Sequence, residues 1–382
     1  MVHLNSHTHI GKRFFAMHSP LFSVYLRNNK MSKYNVIGLM SGTSMDGVDL
    51  AYCTFEKTDS GWKYELLQTK TYPYAQKWLD LLTNIHDFNA NLVRDVDNEL
   101  GLYFSQLIEN FINDQQLVPD FISSHGHTAF HRPADGVTLQ IGNGDVMSTK
   151  LRIPVVNDFR KRDVLLGGQG APLVPMGDHL LFKDYDICLN LGGFSNVSYL
   201  QGNERLAFDI CPVNMALNEA SSITGSAFDP EGRMARSGDI HERILQDLEA
   251  LDYYKLDGPR SLGREWYSKN FRPKMYSKKI PPIDLLATLT EHIALRISTT
   301  LSRMEGKYVL VTGGGCFNDY LIERIQALSD KDLNIPDEKL VSFKEALIFA
   351  FLGVLRMRNE VNVLSSVTGA PKDHCSGVIH KP

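Results

Sequence analysis

The sequence predicts two α/β domains that enclose a ligand-binding cleft. Its 382 residues correspond to between two and three domains at about 150 residues each. Predicted strands and helices alternate along both halves of the chain, which is typical of an α/β fold. Three glycine-rich segments, spread over both halves, each follow a predicted strand. Because loops at strand ends face the ligand crevice in α/β sheets, we expect these segments to meet at a cleft between the domains.

The first half of the chain is predicted to contain six strands and a helical segment. Apolar residues recur at steps of three and four over residues 89–117, which predicts one or two amphipathic helices. Short β-favouring runs predict strands at residues 34–40, 48–55, 63–72, 121–124, 137–141 and 153–156. The first two strands are separated by a polar loop at 41–47, so we predict a hairpin with a functional tip.

The second half resumes after a polar, glycine-rich segment at 157–175. Strands are predicted at 186–191, 197–200, 206–210 and 308–312, and helices at 214–223, 240–251, 283–304, from 318 onward and at 344–358. We assign residues 31–157 and 360–382 to domain I and residues 158–359 to domain II. Residues 1–30 show no strand or helix periodicity, and we predict a disordered or mis-assigned extension there.

Composition narrows the function class. Hydrophobic residues make up 43% and charged residues 22% of the chain, which predicts a folded globular protein. The 40 basic and 44 acidic residues give a net charge of −4, so no basic excess favours nucleic-acid binding. The five cysteines are scattered without a Cys-x-x-Cys pair, which favours a reducing, cytoplasmic setting. The longest apolar run, at 346–355, is half the length of a membrane span, so we expect no membrane association.

The loop after the first strand has the composition of an anion-binding turn. It contains, in order, Ser41, Gly42, Thr43, Ser44, Met45, Asp46 and Gly47. Backbone N–H groups of such a turn can converge on a phosphate, and the hydroxyl groups can donate to phosphate oxygens. Asp46 can hold Mg²⁺ directly or through water. The alternative is an ordinary hairpin turn.

Two further glycine-rich tips support a nucleotide site. The first contains Gly192 and Gly193 and leads to Asn196, and the second contains Gly313, Gly314 and Gly315 and precedes a helix. A helix N-terminus next to glycines favours a bound phosphate. The chain lacks the P-loop, the dinucleotide-binding G-x-G-x-x-G, the protein-kinase H-R-D and the G-x-S-x-G nucleophile elbow. We therefore predict that the cleft binds a nucleotide and that the protein belongs to none of the classes that these motifs define.

Several polar residues between the tips are candidates for substrate chemistry. Arg160 and Arg162 suit an anionic group, because guanidinium binds carboxylate or phosphate bidentately. Asp209 lies at the end of a predicted strand and could act as a general base; the alternative is a structural aspartate. His125, His127 and His131 are spaced like a zinc triad, but Gly126 and the lack of a nearby carboxylate ligand argue against zinc.

Residues 38–47 read Gly-Leu-Met-Ser-Gly-Thr-Ser-Met-Asp-Gly, which is a distinctive motif. It resembles the opening of the anhydro-N-acetylmuramic acid kinases of bacterial cell-wall recycling. Further matches, in order, lie at 124–128, 139–142, 158–160, 167–173, 190–196, 261–265, 313–315, 345–346 and 367–370. The resemblance extends from residue 34 to the end of the chain.

The resemblance implies an actin-like, ribonuclease H-like fold whose two domains close on ATP·Mg²⁺ and a sugar. It implies phosphate loops at 41–48, including Val48, and at 192–196, with an adenosine-side loop at 313–315. It further implies Asp209 as the catalytic base, sugar contacts from His125, Arg160, Asn214 and Glu345, and a homodimer. The implied reaction converts 1,6-anhydro-N-acetylmuramate, ATP and water into N-acetylmuramate 6-phosphate and ADP.

The chain departs from the family pattern next to the implied base. The family has a small residue and then Gly-Pro-Gly-Asn, whereas this chain has Ile210, Cys211, Pro212, Val213 and Asn214. His127 also replaces the usual Gln. Because Cys211 and Val213 add side chains where glycine would let the backbone approach a ligand, two alternatives stay open. They are a related kinase for another sugar and a nucleotide-binding regulator without catalysis.

Overall fold

The computed structural model describes residues 32–42, 45–256, 258 and 260–382. Lys33–Pro382 form one compact unit. The predicted extension at 1–30 and the predicted phosphate-loop residues Thr43 and Ser44 lie outside the described residues.

The first sheet has seven strands. They are β1 (Lys33–Ser41), β2 (Val48–Thr58), β3 (Gly61–Tyr72), β4 (Phe121–Arg132), β5 (Val137–Ile141), β6 (Val155–Asn157) and β12 (Val378–His380), in the order β12-β6-β4-β1-β2-β3 with β5 paired to β4. Strands β1 and β2 are antiparallel, with Ser41 opposite Val48, which confirms the predicted hairpin. Strand β4 is parallel to β1 and to β6.

The second sheet repeats the topology of the first. Its strands are β7 (Ile187–Leu191), β8 (Phe194–Gln201), β9 (Glu204–Pro212), β10 (Tyr308–Thr312) and β11 (Asp332–Asn334), in the order β11-β10-β7-β8-β9. As in β6-β4-β1-β2-β3, three antiparallel strands are followed by two parallel ones. The two α/β halves confirm the predicted two-domain, actin-like fold class.

Fourteen α-helices lie within the described residues. They are α1 (Gln76–Thr83), α2 (Ala90–Gln115), α3 (Gly144–Leu151), α4 (Lys161–Leu165), α5 (Val174–Leu181), α6 (Asn214–Ser222), α7 (Arg233–Ser237), α8 (Glu242–Glu249), α9 (Arg264–Trp266), α10 (Arg272–Met275), α11 (Pro282–Leu301), α12 (Asp319–Leu328), α13 (Glu338–Met357) and α14 (Ser365–Thr368). None of them is long and apolar enough to cross a membrane.

The predicted amphipathic segment at 89–117 forms one helix, α2. The Asn89 side chain accepts hydrogen bonds from the N–H groups of Asn91 and Leu92, which caps the first turn. Leu100 and Phe104, four residues apart, are buried in the core beneath the first sheet. The apolar spacing therefore predicted both the helix and its buried face.

Helix α13 packs on the first sheet. Gly38 of β1 faces this helix so closely that a Cβ there would overlap the Ala346 carbonyl, and α13 also contacts β2, β4 and α5. The domain boundaries stay a prediction. Helix α13 contacts the first sheet, and any division of the chain into domains has to account for these contacts.

The polar, glycine-rich segment at 157–175 contains helix α4 and the start of α5, which the sequence analysis did not predict. Helix α4 has only five residues, too few to show an apolar period. Helix α3, with eight residues, was also missed, although Asn143 caps it by accepting from the N–H groups of Asp145 and Val146.

Candidate active site

A cleft of about 1100 Å³ lies between the two halves. Eight of the predicted site residues line it: Asp46, Arg160, Gly192, Asn196, Asp209, Gly313, Gly314 and Glu345. They come from the first hairpin tip, the segment after β6, the second hairpin, the end of β9, the loop after β10 and helix α13. The fold thus brings together residues that are up to 299 positions apart (345 − 46).

Strand alternation explains which side chains of β8 reach the cleft. Asn196 and Ser198 of β8 line it, whereas Val197 between them is buried in the core on the other face. Strand β9 does not follow this alternation, because three consecutive residues, Ala207, Phe208 and Asp209, line the cleft.

Asp209 occupies an irregular position in β9. Its neighbour Asn196 pairs with it, but the next pair is Ser195 with Cys211, so β9 contains a bulge after Asp209. Bulges occur next to active sites because they re-aim a side chain. The N–H of Leu262 donates to Asp209 Oδ2 at 2.8 Å. Burial raises the pKa of Asp209 to about 6, so the carboxylate is ionised at neutral pH and more basic than an ordinary aspartate.

Arg160 is fixed on the opposite side of the cleft. Its Nε donates to His125 Nε2 at 3.0 Å and its Nη1 donates to the Gly170 carbonyl at 2.8 Å. His125 Nδ1 lies 2.9 Å from the Gly126 carbonyl, which places the ring proton on Nδ1. Burial and the Arg160 charge hold the pKa of His125 well below its usual range. Burial lowers the pKa of Arg160 to about 10, so the guanidinium is charged and oriented.

Besides Asp209 and Asp178, three further carboxylates line the cleft: Asp46, Asp49 and Glu345. Burial raises the pKa of Asp49, although Thr71 Oγ1 donates to it at 2.6 Å and opposes the shift. Desolvation by burial raises the pKa of Glu345, and the positive charge of Arg160 opposes that shift. Asp46 is exposed at the hairpin tip. These carboxylates provide oxygen ligands and hydrogen-bond acceptors for a polar ligand.

The start of the first loop is held by a buried hydrogen-bond network. Ser41 Oγ lies 2.6 Å from the Tyr74 hydroxyl and 2.9 Å from His127 Nδ1. Burial lowers the pKa of His127 to about 4, so this ring is neutral at physiological pH. At the other end of the loop, a Cβ at Gly47 would lie 2.6 Å from the Tyr72 carbonyl oxygen, so only glycine fits there.

The second and third glycine tips lie against each other. A Cβ at Gly313, whose φ is +82°, would lie 2.6 Å from Asn190 Oδ1, and Asn214 Nδ2 donates to the Leu191 carbonyl at 3.1 Å. The carbonyls of Gly192 and Gly193 accept hydrogen bonds from N–H groups at the start of α6. The second tip is therefore anchored to this helix.

Nine other predicted site residues do not line the cleft: Ser41, Gly42, Met45, Gly47, Val48, Gly193, His125, Asn214 and Gly315. Val48 is fully buried in the core beneath the first sheet, and His125 supports Arg160 from behind. The roles assigned to these residues stay predictions.

Cys211 and Val213 point away from the cleft. Both side chains are fully buried in the core of the second half, and Cys211 Sγ lies 3.3 Å from Ser195 Oγ. The alternative of another sugar rested on these two residues, and their position gives it no support.

The three histidines spaced like a zinc triad have separate partners. His125 contacts Gly126 and Arg160, His127 contacts Ser41, and His131 Nδ1 lies 3.1 Å from Thr138 Oγ1. Across the described ranges, no group of three His, Cys, Asp or Glu side chains is arranged to hold a metal ion.

Sequence reasoning missed Asp49, Arg260 and the Lys344–Asp178 ion pair, all of which line the cleft. Lys344 Nζ lies 2.8 Å from Asp178 Oδ1, and both side chains are buried. Asp49 lies three residues after Asp46, and Arg260 directly precedes the motif at 261–265, so a nearby motif could have identified both residues. The ion pair joins residues 166 positions apart (344 − 178), and no local sequence pattern indicates it.

The comparisons with known proteins agree with the geometry of the site. A model of the anhydro-N-acetylmuramic acid kinase family matches residues 34–382. Proteins named anhydro-N-acetylmuramic acid kinase are 33% identical in Sulfurimonas denitrificans, over 90% of this chain and 99% of that protein, and 33% identical in Aliivibrio fischeri, over 92% and 99%. One from Trichormus variabilis is 34% identical over 91% of this chain and 97% of that protein. The chain therefore belongs to the anhydro-N-acetylmuramic acid kinase family.

Proposed function

We propose that the protein hydrolyses the 1,6-anhydro bond of 1,6-anhydro-N-acetylmuramic acid and phosphorylates O6 with ATP. The observation that carries this proposal is the position of Asp209, a carboxylate with a pKa raised to about 6 in a cleft between two α/β halves. A base of this strength can accept a proton from water at neutral pH. Family membership supports the same reaction.

In the proposed reaction, Asp209 accepts a proton from a water molecule as the water oxygen bonds to C1 of the sugar. The C1–O6 bond breaks, and its electron pair stays on O6. O6 then bonds to the γ-phosphorus of ATP, and ADP leaves. The hydrogen bond from Leu262 N–H to Asp209 Oδ2 fixes the direction of the carboxylate, and such positioning supplies much of the acceleration in phosphoryl transfer.

The sugar would lie between Asp209 and the first-half side of the cleft. Arg160 and Glu345 line that side and can contact hydroxyl, amide or acidic groups of the sugar. His125 orients Arg160, and Asn214 orients the second tip through the Leu191 carbonyl.

The phosphates of ATP would lie between the hairpin tips. Gly192, Asn196, Gly313 and Gly314 line the second-half side, and the absent side chains of the glycines allow close approach. The loop at 41–48 would face them from the first half, with its start fixed by the contacts of Ser41.

The residues present fit Mg²⁺ carried by the nucleotide. Magnesium in kinases is held by one or two carboxylates together with phosphate oxygens and water, and Asp46 and Asp49 are cleft-lining carboxylates close in sequence. Asp46 would hold the ion directly or through a bridging water, and Asp49 would add negative charge behind it. When bound, the ion neutralises phosphate charge.

Turnover of the purified protein with 1,6-anhydro-N-acetylmuramic acid and ATP tests the proposal. We expect ADP and N-acetylmuramate 6-phosphate to appear in equal amounts, with ¹⁸O from labelled water at C1. Normal ATP binding without sugar turnover would favour the non-catalytic regulator, and turnover of a different anhydro sugar alone would favour the related kinase.

Family membership also leads us to propose a cytoplasmic homodimer. Sedimentation of the full chain measures its mass directly, and cell fractionation tests its location. A single species of about 43.0 kDa at micromolar concentration would contradict the dimer.

A further inference from the structure

The cations that line the cleft differ in how their charge is balanced. Lys344 is paired with Asp178 at 2.8 Å. Arg160 lies close enough to Glu345 for the two charges to influence each other. Arg260 also lines the cleft, but in the part of the chain that the structure describes no carboxylate forms an ion pair with it. Arg260 is thus the cation whose charge the described residues leave uncompensated.

The Arg260 guanidinium is held by carbonyl oxygens and aromatic rings. Nη1 donates to the carbonyls of Tyr253, at 3.4 Å, and Leu256, and Nε lies 3.5 Å from the main-chain oxygen of Asp209. The central carbon of the guanidinium group, Cζ, lies 5.2 Å from the centre of the Phe208 ring and 4.9 Å from the centre of the Tyr253 ring. This stacking fixes the guanidinium before a ligand arrives, which reduces the entropy lost on binding.

Arg260 lies at the same end of the cleft as the proposed base. Its carbonyl accepts from the Asp209 N–H at 3.0 Å, and Leu262, two residues on, donates to the Asp209 carboxylate. The segment at 260–262 therefore places two groups at the edge of β9. They are the charged side chain of Arg260 and the N–H group of Leu262, which orients the Asp209 carboxylate. A sugar placed for attack at C1 would lie next to this segment.

We propose that Arg260 binds the carboxylate of an acidic sugar substrate. The assignment rests on the proposed function, in which the substrate is a muramic acid that carries a lactyl carboxylate through O3. Guanidinium binds carboxylate through charge-assisted hydrogen bonds. Arg260 therefore selects the muramic acid over an uncharged analogue, whereas Asp209 acts at C1 of either sugar.

Steady-state kinetics with 1,6-anhydro-N-acetylmuramic acid and its uncharged methyl ester test this assignment. For Arg260→Gln we expect the KM of the acid to rise about 10- to 100-fold, the range for a lost charged hydrogen bond. The KM of the ester should stay within about twofold of wild type. Arg260→Lys keeps the charge but not the planar fork and should show a smaller rise for the acid alone. Arg303→Gln, at an exposed arginine after α11, is the matched control and should change neither KM.

The outcomes separate the assignment from the proposed function. Equal rises in KM for acid and ester would show that Arg260 only braces the segment beside Asp209 and would overturn the assignment, as would unchanged KM values. If Arg260→Gln fails to fold, the acid-to-ester ratio of Arg260→Lys decides in the same way. A wild-type protein that phosphorylates neither sugar would overturn the proposed function itself, before any variant is compared.

Discussion

The two halves of the molecule share one strand order but contribute different chemistry to the cleft. In the first half, the strand before the hairpin tip ends in Ser41, whose hydroxyl is buried between Tyr74 and His127. In the second half, the equivalent strand leads to Gly192 and Gly193, which open onto the cleft or anchor α6. The third strand of the first sheet supplies Thr71, which supports a carboxylate, whereas the third strand of the second sheet supplies the carboxylate Asp209 itself.

This difference shows that the two halves of a repeated fold can contribute different chemical roles to one site. The side of the cleft formed by the first sheet, the segment after β6 and helix α13 presents charged groups that have partners, such as Arg160 with His125 and Glu345. The second half presents Asp209, which accepts a backbone hydrogen bond but has its pKa raised to about 6 by burial. A carboxylate held this way suits proton transfer, and a compensated one suits binding.

The largest expected effect is therefore the loss of the reacting carboxylate from the second half. Asp209→Asn should lower kcat about 10²- to 10⁴-fold, because an amide cannot accept the proton from water. Calorimetric ATP affinity should stay close to wild type. The comparison variant on helix α13, Glu345→Gln, should raise KM for the sugar more than it lowers kcat. Residual activity of Asp209→Asn above about a tenth of wild type would remove Asp209 from the role of base.

The buried ion pair between helices α13 and α5 gives the next prediction. Lys344→Met leaves Asp178 buried without its cation and should destabilise the protein by about 3–5 kcal/mol, as measured by denaturant unfolding. Lys70→Met is the control, since Lys70 pairs with Asp114 at 3.0 Å on the surface, and this change should leave the unfolding midpoint nearly unchanged. Similar midpoints for the two variants would contradict a structural link through Lys344.

The sequence was sufficient for the two-domain class, because that class depends on local patterns. The helical apolar spacing of α2 and the exact strand limits at Val137–Ile141 and Tyr308–Thr312 come from runs of apolar residues. Asp46, in the loop after a β-rich run, and Asp209, at the end of one, both line the cleft as expected, and their roles stay predictions. The Lys344–Asp178 pair and the burial of Cys211 depend on packing between distant segments, and no local pattern encodes them.

The pH dependence of the reaction probes the state of Asp209. The base works as a carboxylate, so its protonated form is inactive, and kcat/KM should fall as the pH drops below the pKa of about 6. The loss should approach tenfold per pH unit below that value and level off above it. A rate profile in buffers of constant ionic strength measures this, with intact folding checked by circular dichroism. A rate that stays constant down to pH 5 would contradict a raised pKa at the base.

Cys211 gives the smallest effect, because it lies beside Asp209 in the chain but on the other face of β9. Its side chain is fully buried in the core of the second half. Cys211→Gly should therefore destabilise the protein by about 1–3 kcal/mol through the lost side chain and the added backbone freedom, while KM for the sugar stays at the wild-type value. Cys211→Ala removes only the sulfur and should lose less stability. A tenfold change in KM for the sugar, with the free energy of unfolding unchanged, would contradict this prediction. It would show that the residues after Asp209 shape the sugar site although their side chains lie on the other face of β9.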